Sequence, residues 1–175
     1  IEGCAIIIDS IIKKGARLKL GVRIEKSEVG ESASVGPFCH LRPGASLSKD
    51  VRVGNFVEVK NSSLGTGTKA GHLTYIGDAE VGEGVNFGAG TITANYDGFR
   101  KHKTTIKNGA STGSNSVLVA PVTIGKNAYI GACSAITKDV SDGALAIARP
   151  KQVEIKGWFQ RRIEQETKDQ NKKDA

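Results

Sequence analysis

An aliphatic or small residue recurs at every sixth position through most of this 175-residue chain, with an occasional spacing of five. An amphipathic α-helix places apolar residues three or four apart, and a half-buried strand alternates them every two. A spacing of six fits neither, so it predicts a coil of short strands in which each hexapeptide forms one flat side and one corner. The repeated residues are Ile6, Ile12, Leu18, Ile24, Val29, Val35, Leu41, Leu47, Val53, Val59, Leu64, Ala70, Ile76, Val81, Phe87, Thr93, Ile106, Thr112, Leu118, Ile124, Ile130 and Ile136.

The positions after the repeated residue have preferences of their own. Glycine follows it directly at half of the 22 glycine positions, and a small or β-branched residue stands four positions after it, as at Ala33, Val51 and Thr68. Glycine supplies the backbone freedom that a corner requires. Three sides then close a triangular coil of about eighteen residues, and coils stack at a strand spacing of about 4.8 Å. The repeats predict an all-β prism of about seven parallel coils, whereas a β-sandwich, the alternative, needs turn signals every 8–12 residues or so.

One long interruption of the repeat predicts a loop. The repeat stops at Thr93 and resumes at Ile106, so residues 94–105 are expected to project from the prism. An Asp-Gly turn lies near the middle of this segment. Because loops on a rigid scaffold often carry function, we expect it to offer cations to an anionic group. The basic residues after the turn are Arg100, Lys101 and Lys103.

The repeat decays after Val140. Residues 157–164 combine aromatic and charged residues in a pattern typical of a short amphipathic helix, and the polar sequence beyond them predicts a disordered end. We therefore divide the chain into a β-helix domain, residues 1–150, and a C-terminal helix with a polar tail, residues 151–175.

Charge and composition narrow the class of ligand. The chain carries 25 Lys and Arg against 18 Asp and Glu, a formal charge of +7, and aromatic residues make up 5% of the sequence. Since no aromatic residues are interleaved with the basic ones, stacking on nucleic acid is poorly supported. The positive charge better suits an anionic small molecule.

Other sequence features bear on location and cofactors. The longest apolar run, Cys4–Ile8, is far shorter than the roughly 18 residues that span a membrane, and residues 1–12 lack the basic segment of a signal peptide. Three cysteines without a C-x-x-C pair disfavour a disulfide scaffold or a structural zinc site. We expect a cytoplasmic protein without a membrane span. The lack of any Met indicates a piece of a larger product, or a processed one.

The three histidines are candidates for acid–base chemistry. A zinc site on such a coil needs three converging histidines, two of them close in sequence, but His40, His72 and His102 are all widely separated, which disfavours a metal. His40 and His102 are interpreted as surface residues. His72 follows Gly71 and the small Ala70, which leave space beside its ring. An imidazole with a pKa near 6.5 can take a proton from an amine, so His72 is the candidate general base. An exposed histidine without function is the alternative.

Amide formation from a thioester also needs a hydrogen-bond donor to the developing oxyanion. The turn at residues 87–90, Phe-Gly-Ala-Gly, presents backbone N–H groups with little side-chain obstruction. Glycine at a corner is equally expected for structural reasons, so both interpretations stay open.

Two segments resemble a known family closely: residues 71–78, GHLTYIGD, and residues 86–98, NFGAGTITANYDG. They are similar to the C-terminal domain of the bifunctional N-acetylglucosamine-1-phosphate uridyltransferase / glucosamine-1-phosphate N-acetyltransferase family, GlmU. The resemblance covers about residues 1–158, and it implies a left-handed parallel β-helix that forms a homotrimer, with acetyl-coenzyme A held between neighbouring prisms. Supporting matches are residues 36–45, GPFCHLRPGA, residues 54–60, GNFVEVK, and residues 119–123, VAPVT.

The resemblance also implies roles for individual residues. His72 matches the general base that takes a proton from the 2-amine of the sugar, and no metal is implied. The residues that match substrate contacts are Arg42, Lys60, Tyr75, Asn86 and Lys101, of which Arg42 and Lys60 bind the sugar phosphate. The residues that match coenzyme contacts are Ala89, Asn95, Tyr96, Ser114, Ala132 and Arg149, with the Ala89 backbone donating to the acetyl carbonyl.

Structural interpretations of these positions remain open. Arg42 and Lys60 suit a dianionic phosphate, but they also fit solvated charges on a coil face. Tyr75 fits a stacking residue, and Ser114 fits a ladder residue after a corner glycine.

The activity implied by the resemblance is acetyl-CoA-dependent N-acetylation of glucosamine 1-phosphate to N-acetylglucosamine 1-phosphate. In the family this is a step of UDP-N-acetylglucosamine synthesis, which supplies peptidoglycan and lipopolysaccharide. The N-terminal uridyltransferase domain of the family has no counterpart in this chain, so we assign no uridylyl transfer to it. The alternatives are a hexapeptide acetyltransferase for another amine and a non-catalytic β-helix assembly module.

Overall fold

The computed structural model describes residues 1–173, with the side chains of residues 1–170, and over that range the chain is a solenoid of about eight turns followed by one helix. The strands are short because the chain bends after each hexapeptide. In chain order the elements are β1 (Ala5–Ile8), β2 (Ile11–Ile12), β3 (Arg17–Leu18), β4 (Val22–Glu25), β5 (Glu28–Val29), β6 (Ser34–Val35), β7 (His40–Leu41), β8 (Ala45–Leu47), β9 (Arg52–Asn55), β10 (Glu58–Lys60), β11 (Ser62–Leu64), β12 (Lys69–His72), β13 (Tyr75–Gly77), β14 (Ala79–Val81), β15 (Asn86–Phe87), β16 (Ile92–Ala94), β17 (Thr104–Ile106), β18 (Ser111–Thr112), β19 (Val117–Val119), β20 (Val122–Ile124), β21 (Tyr129–Ile130), β22 (Ala135–Ile136), β23 (Leu145–Ala146) and α1 (Trp158–Lys173).

Each full turn contributes one strand to each of three parallel sheets. In the described range the first sheet contains β1, β4, β7, β10, β13, β16, β19 and β22; the second contains β2, β5, β8, β11, β14, β17 and β20; and the third contains β3, β6, β9, β12, β15, β18, β21 and β23. Paired residues keep a nearly constant separation in the sequence over most of the solenoid, as in Val59 with Ile76 and Val29 with Leu47. Equivalent positions of successive turns therefore stack into straight ladders. The prediction of a parallel prism is confirmed, with about eight turns rather than seven.

The repeated residues form the core, as predicted. From Leu18 to Ile136 each of them is at most 5% exposed. The small residues four positions later, such as Ala33 and Thr68, are buried beside them. Burial of this apolar column along the axis is the main source of stability.

The first turn departs from the predicted register. Ile7 pairs with the buried Ile24, whereas Ile6 pairs with Arg23 and is 51% exposed. The assignment of the repeat to Ile6 was wrong because a run of three isoleucines gives the hydrophobic pattern no way to select one of them. The spacing of five from Ile7 to Ile12 is one that recurs later in the chain.

The predicted interruption is a loop, but it is shorter than expected. Strand pairing takes up Ala94, Thr104 and Thr105, so the loop spans residues 95–103. We call residues 95–103 the excursion loop. Strand β14 pairs with β17 in parallel across it, so the solenoid continues in register beyond the loop.

The C-terminal helix is longer than predicted. Helix α1 begins at Trp158 and continues to Lys173, so most of the segment expected to be disordered is helical; residues 174–175 lie outside the described range. An ion pair between Arg162 and Glu166 at 2.9 Å supports the helix from within. The described side chains of the helix are exposed, including Trp158 and Ile163. Within residues 1–173, no helix has the length and apolar character that crossing a bilayer requires.

Candidate active site

The ring of His72 is held by Asn55, one turn below it. His72 ends β12 and pairs with Asn55 of β9. Its Nδ1 lies 3.2 Å from Asn55 Oδ1. Because an amide oxygen only accepts hydrogen bonds, this contact requires the proton on Nδ1 and leaves the lone pair on Nε2. The imidazole is exposed, so Nε2 is available to a substrate.

His72 belongs to a straight line of residues that we call the corner ladder. Each member stands two positions after a repeated residue on β9, β12, β15, β18 or β21, strands that pair in that order. Three turns separate the second member from the last, an axial distance of about 14 Å at the usual strand spacing. The members are, in order, Asn55, His72, Ala89, Ser114 and Ala132.

The far end of the corner ladder carries a cation. Arg149 Nη1 donates a hydrogen bond to the carbonyl oxygen of Ala132 at 2.8 Å. The candidate base and four of the predicted coenzyme residues therefore lie along one line parallel to the solenoid axis. This alignment was hidden in the sequence, since the excursion loop lengthens one turn and breaks the even spacing between the members.

A groove of about 460 Å³ runs beside the corner ladder. Its floor includes Gly54, Gly71 and Gly88, and a Cβ at Gly54 or Gly88 would collide with the backbone of the next turn. Glycine at these positions therefore lets the turns stack closely and keeps the groove open. The described residues that line it include no carboxylate; its polar and charged members are Lys19, Ser34, Arg52, Lys69, His72, Asn86 and Ser114.

Sequence reasoning missed the basic residues of this groove. Arg52 and Lys69 pair on neighbouring strands and stand directly before a repeated residue, a position that faces outward on the third sheet. The signal was available in the repeat itself, because residues on either side of an inward-facing residue must face outward.

A second group of predicted residues lies on the first sheet, around the corner from the groove. Arg42 and Lys60 follow the paired residues Leu41 and Val59, so they occupy one column on adjacent turns. Arg42 Nη1 forms an ion pair with Glu58 Oε1 at 2.8 Å. Both basic side chains are half-buried, which holds their charged ends near the surface of this sheet.

The excursion loop adds Lys101 to this group. Lys101 lies beside Lys60, and its ammonium group lowers the pKa of Lys60; burial and Arg42 lower that pKa further, while Asp78 opposes the shift. Three cations thus converge at the edge of the first sheet. Such a cluster suits a dianion, with Arg supplying a fork of donors and Lys a point charge.

Tyr75 lies flat over its own strand. A Cβ at Gly77 would collide with the hydroxyl end of the Tyr75 ring, and Gly77 pairs with Lys60 on the turn below. The Tyr75 hydroxyl is therefore directed toward the column that carries Lys60. Sequence reasoning had interpreted Gly77 only as a corner glycine and missed this steric role.

Asn95 and Tyr96, the two loop residues predicted to contact the coenzyme, differ in exposure. Asn95 is only 9% exposed, and its side-chain amide donates to Asp78 Oδ2. Tyr96 is 62% exposed, and its hydroxyl donates to the carbonyl of Gly98 at 2.6 Å. The Tyr96 ring is thus free to contact a ligand, whereas the Asn95 side chain is directed into the base of the loop.

Comparison with known proteins places this solenoid in a family. The family model for bacterial transferase hexapeptide repeats (six repeats) matches residues 103–138. The bifunctional protein GlmU of Synechococcus sp. (strain CC9605) is 57% identical over 140 residues, which cover 80% of this chain and 31% of that protein. GlmU of Caldicellulosiruptor saccharolyticus is 53% identical over 156 residues, which cover 89% of this chain and 34% of that protein. The chain belongs to the hexapeptide-repeat transferase family.

The chain spans about a third of the length of these GlmU relatives. Solved structures support the hexapeptide fold at lower identity. A Bacillus cereus protein matches with a TM-score of 0.55 at 20% identity, covering 95% of this chain and 92% of its own. A hexapeptide transferase family protein from Anaplasma phagocytophilum matches with a TM-score of 0.53 at 18% identity, covering 90% and 86%. The left-handed β-helix implied by the resemblance is the fold of this hexapeptide chain.

The site residues of this hexapeptide chain remain predictions. The structure brings most of the predicted residues together in two places, the groove with its corner ladder and the cation cluster on the first sheet. Asn95 and Tyr96 are not among them, since they lie on the excursion loop between the first and second sheets. Among the described residues, no three His, Cys, Asp or Glu side chains converge as metal ligands do.

Proposed function

We propose that this chain transfers the acetyl group of acetyl-coenzyme A to the 2-amine of glucosamine 1-phosphate. The observation that carries the proposal is the corner ladder: an available imidazole lies on the same line as a distal arginine, an open groove runs beside the ladder from His72 to Ser114, and a cluster of three cations lies on the first sheet. Similarity to GlmU over 80% or more of the chain supports the choice of substrates.

The cation cluster binds the phosphate of the acceptor. Arg42, Lys60 and Lys101 surround a position at the edge of the first sheet, and their combined charge complements a phosphate dianion. Tyr75 and Asn86 orient the sugar. Its 2-amine then faces the corner where His72 lies.

The coenzyme lies along the corner ladder. The pantetheine arm runs along the corner ladder from Ala89 past Ser114 to Ala132, and Arg149 meets the phosphates at the far end. The thioester is then next to His72, and the backbone N–H of Ala89 donates to the acetyl carbonyl oxygen. The excursion loop lies at the corner between the first and second sheets, so in the proposed trimer its exposed Tyr96 and the backbone of Asn95 contact the coenzyme held by a neighbouring prism.

The reaction needs one base and one oxyanion donor. His72 Nε2 takes a proton from the acceptor amine, whose nitrogen attacks the thioester carbonyl carbon. The tetrahedral intermediate collapses, the carbon–sulfur bond breaks, and coenzyme A leaves as the thiol with the proton that His72 returns. Asn55 keeps the proton on Nδ1 throughout, so Nε2 is the atom that accepts and returns the transferred proton. No metal and no covalent enzyme intermediate take part.

A homotrimer completes the proposed site. The groove and the cation cluster are open on one side, and a neighbouring prism would close them. Phe38, Phe56 and Leu73 support this arrangement, since each is more than half exposed near His72 and the two phenylalanine rings stack with centroids 5.9 Å apart. An apolar ridge beside a site is typical of an interface.

The reaction is a step of UDP-N-acetylglucosamine synthesis for peptidoglycan and lipopolysaccharide. We propose a cytoplasmic location, where acetyl-coenzyme A is available. Uridylyl transfer is not assigned to these residues.

An assay of thiol release from acetyl-coenzyme A tests the proposal. Glucosamine 1-phosphate, serine and other amines are offered as competing acceptors. Preferential turnover with glucosamine 1-phosphate is expected. Faster turnover with another amine would show that glucosamine 1-phosphate is not the acceptor. If calorimetry detected no binding of acetyl-coenzyme A, the alternative of a non-catalytic assembly module would be favoured over an acetyltransferase.

A further inference from the structure

Asp78 links three turns of the solenoid at the corner between the first and second sheets. Its carboxylate accepts from Asn61 Nδ2 through Oδ1 at 2.5 Å and from Asn95 Nδ2 through Oδ2. The three residues are evenly spaced by one turn, so they form a column along this corner. Asp78 adopts a left-handed backbone conformation with φ of 49°, which Asp and Asn tolerate better than most residues.

Both ends of the excursion loop are tied to Asp78. Asn95, which begins the loop, donates to the Asp78 carboxylate. Its own carbonyl oxygen accepts from the backbone N–H of His102 at 2.8 Å, and the Asp78 carbonyl oxygen accepts from the N–H of Thr104 at 3.1 Å. Asp78 therefore holds both ends of the loop base, and an ion pair from Lys103 to Glu80 adds a further contact with the solenoid.

The loop itself is internally structured. Asp97 Oδ1 accepts from the N–H groups of Arg100 and Phe99, and Asp97 Oδ2 lies 2.7 Å from His102 Nε2. The Arg100 N–H, then His102 and the Phe99 N–H, hold the pKa of Asp97 well below its usual range. These contacts of Asp97 hold the loop in one shape.

The loop places the Lys101 side chain beside other cations, which repel it. Lys101 lies beside Lys60, with Arg42 near, and the effect of this repulsion is visible in the lowered pKa of Lys60. Like charges at close range destabilise the free protein. Some other contact must hold the loop closed before an anion arrives, and Asp78 supplies both the tie and a nearby negative charge.

We propose that Asp78 is a positioning residue for the acceptor phosphate: it holds the excursion loop closed so that Lys101 stands beside Lys60 before the phosphate binds. A site that is already formed binds its ligand without the cost of ordering a loop. The inference deepens the proposed function and rests on it for the identity of the acceptor.

Asp78→Asn is the test variant. Asparagine keeps the side-chain shape and tolerates the left-handed backbone conformation, but it removes the charge and turns an NH2 group toward a neighbouring amide. Asp50→Asn is the matched control, because Asp50 is an exposed aspartate with φ of 58° and, among the described residues, has no side-chain hydrogen bond to the loop.

Limited trypsinolysis tests whether Asp78 holds the excursion loop closed, and it does not depend on acetyl transfer. The loop contains cleavable bonds after Arg100, Lys101 and Lys103. In Asp78→Asn, cleavage at these bonds, mapped by mass spectrometry, should accelerate about tenfold or more because the base of the loop opens more often. Asp50→Asn should be cleaved at the rate of the unsubstituted protein.

Acceptor binding and steady-state kinetics test whether Asp78 positions Lys101 for the acceptor phosphate. By calorimetry, Asp78→Asn should weaken glucosamine 1-phosphate binding about tenfold, and the KM for this acceptor should rise to match, while the KM for acetyl-coenzyme A stays within about twofold. In a Lys101→Ala background, Asp78→Asn should add less than about a twofold further loss, since both changes act through one contact.

Unchanged loop cleavage, or faster cleavage with unchanged acceptor affinity, would overturn the proposal. Full additivity of the two substitutions would also do so. If the unsubstituted protein binds glucosamine 1-phosphate but transfers no acetyl group to it, the proposed function fails while the calorimetric comparison still decides the role of Asp78.

Discussion

His72 Nδ1 and Asn55 Oδ1 lie 3.2 Å apart on successive turns of one corner. The contact fixes which ring nitrogen carries the proton and leaves the lone pair of Nε2 free to accept another. Because the two residues pair on adjacent strands, one full turn apart, the regular pitch of the solenoid supplies the geometry.

Substitution of Asn55 should impair the base without removing it. In Asn55→Ala the ring loses its orienting acceptor, and kcat should fall about tenfold or more with the acceptor KM little changed. In Asn55→Asp the added carboxylate should raise the pKa of His72, so the acidic limb of the profile of kcat/KM against pH should move to higher pH. Profiles that coincide with that of the unsubstituted protein would mean that Asn55 has no part in orienting the base.

Removal of either cation from the first sheet should weaken acceptor binding. Arg42→Ala or Lys60→Ala should raise the KM for glucosamine 1-phosphate about tenfold or more, since a charge-assisted contact to phosphate is lost, and should leave the KM for acetyl-coenzyme A nearly unchanged. Arg23→Ala is the control, because Arg23 lies on the same sheet but pairs with Glu25. A rise in KM no larger than that of the control would contradict the substrate assignment.

The apolar column should dominate stability. Leu64 is fully buried, so Leu64→Ala should lower the free energy of unfolding by about 2–5 kcal/mol. Leu145→Ala changes a side chain that is 63% exposed and should cost less than about 1 kcal/mol. Denaturant titrations of both variants make the comparison, and equal losses would show that the column is not the principal source of stability.

Glu25 should contribute to stability in a pH-dependent way. Hydrogen bonds from Arg23 and then His40 lower the pKa of Glu25 from 4.5 to about 2. Since the folded-state pKa is the lower one, the contribution is fully present above the unfolded-state pKa of 4.5 and is lost as the pH falls toward 2. Glu25→Gln should therefore flatten the fall in melting temperature over this interval. Glu31→Gln, at an exposed glutamate without an ion pair among the described residues, should not, and identical acid profiles for both variants would contradict the assignment.

The sequence predicts the fold well because one physical rule, an inward residue every sixth position, operates throughout. Ile6 shows where the rule fails: within a run of isoleucines every choice is equally apolar. The length of α1 was missed for a different reason, because a polar helix held by pairs such as Arg162 and Glu166 has little hydrophobic periodicity to detect.

Only part of the candidate site could be predicted from the sequence. The family motif identifies His72, but its spacing from Asn55 becomes meaningful only once the pitch of the solenoid is known. The contact of Lys101 with Lys60 depends on how the excursion loop folds back, which no local pattern determines. Arg52 and Lys69 are predictable from the repeat, because each stands directly before an inward-facing residue and must therefore face outward.

The most direct test of the account is acetyl transfer by His72→Ala, measured in single turnovers with glucosamine 1-phosphate and acetyl-coenzyme A. His40→Ala serves as the control, because His40 lies on the first sheet and contacts Glu25. We expect the rate of His72→Ala to fall about 10²–10⁴-fold, with an unchanged sedimentation profile, and that of His40→Ala to stay near normal. A His72→Ala protein that transfers acetyl groups at close to the original rate would contradict the assignment of this imidazole as the base.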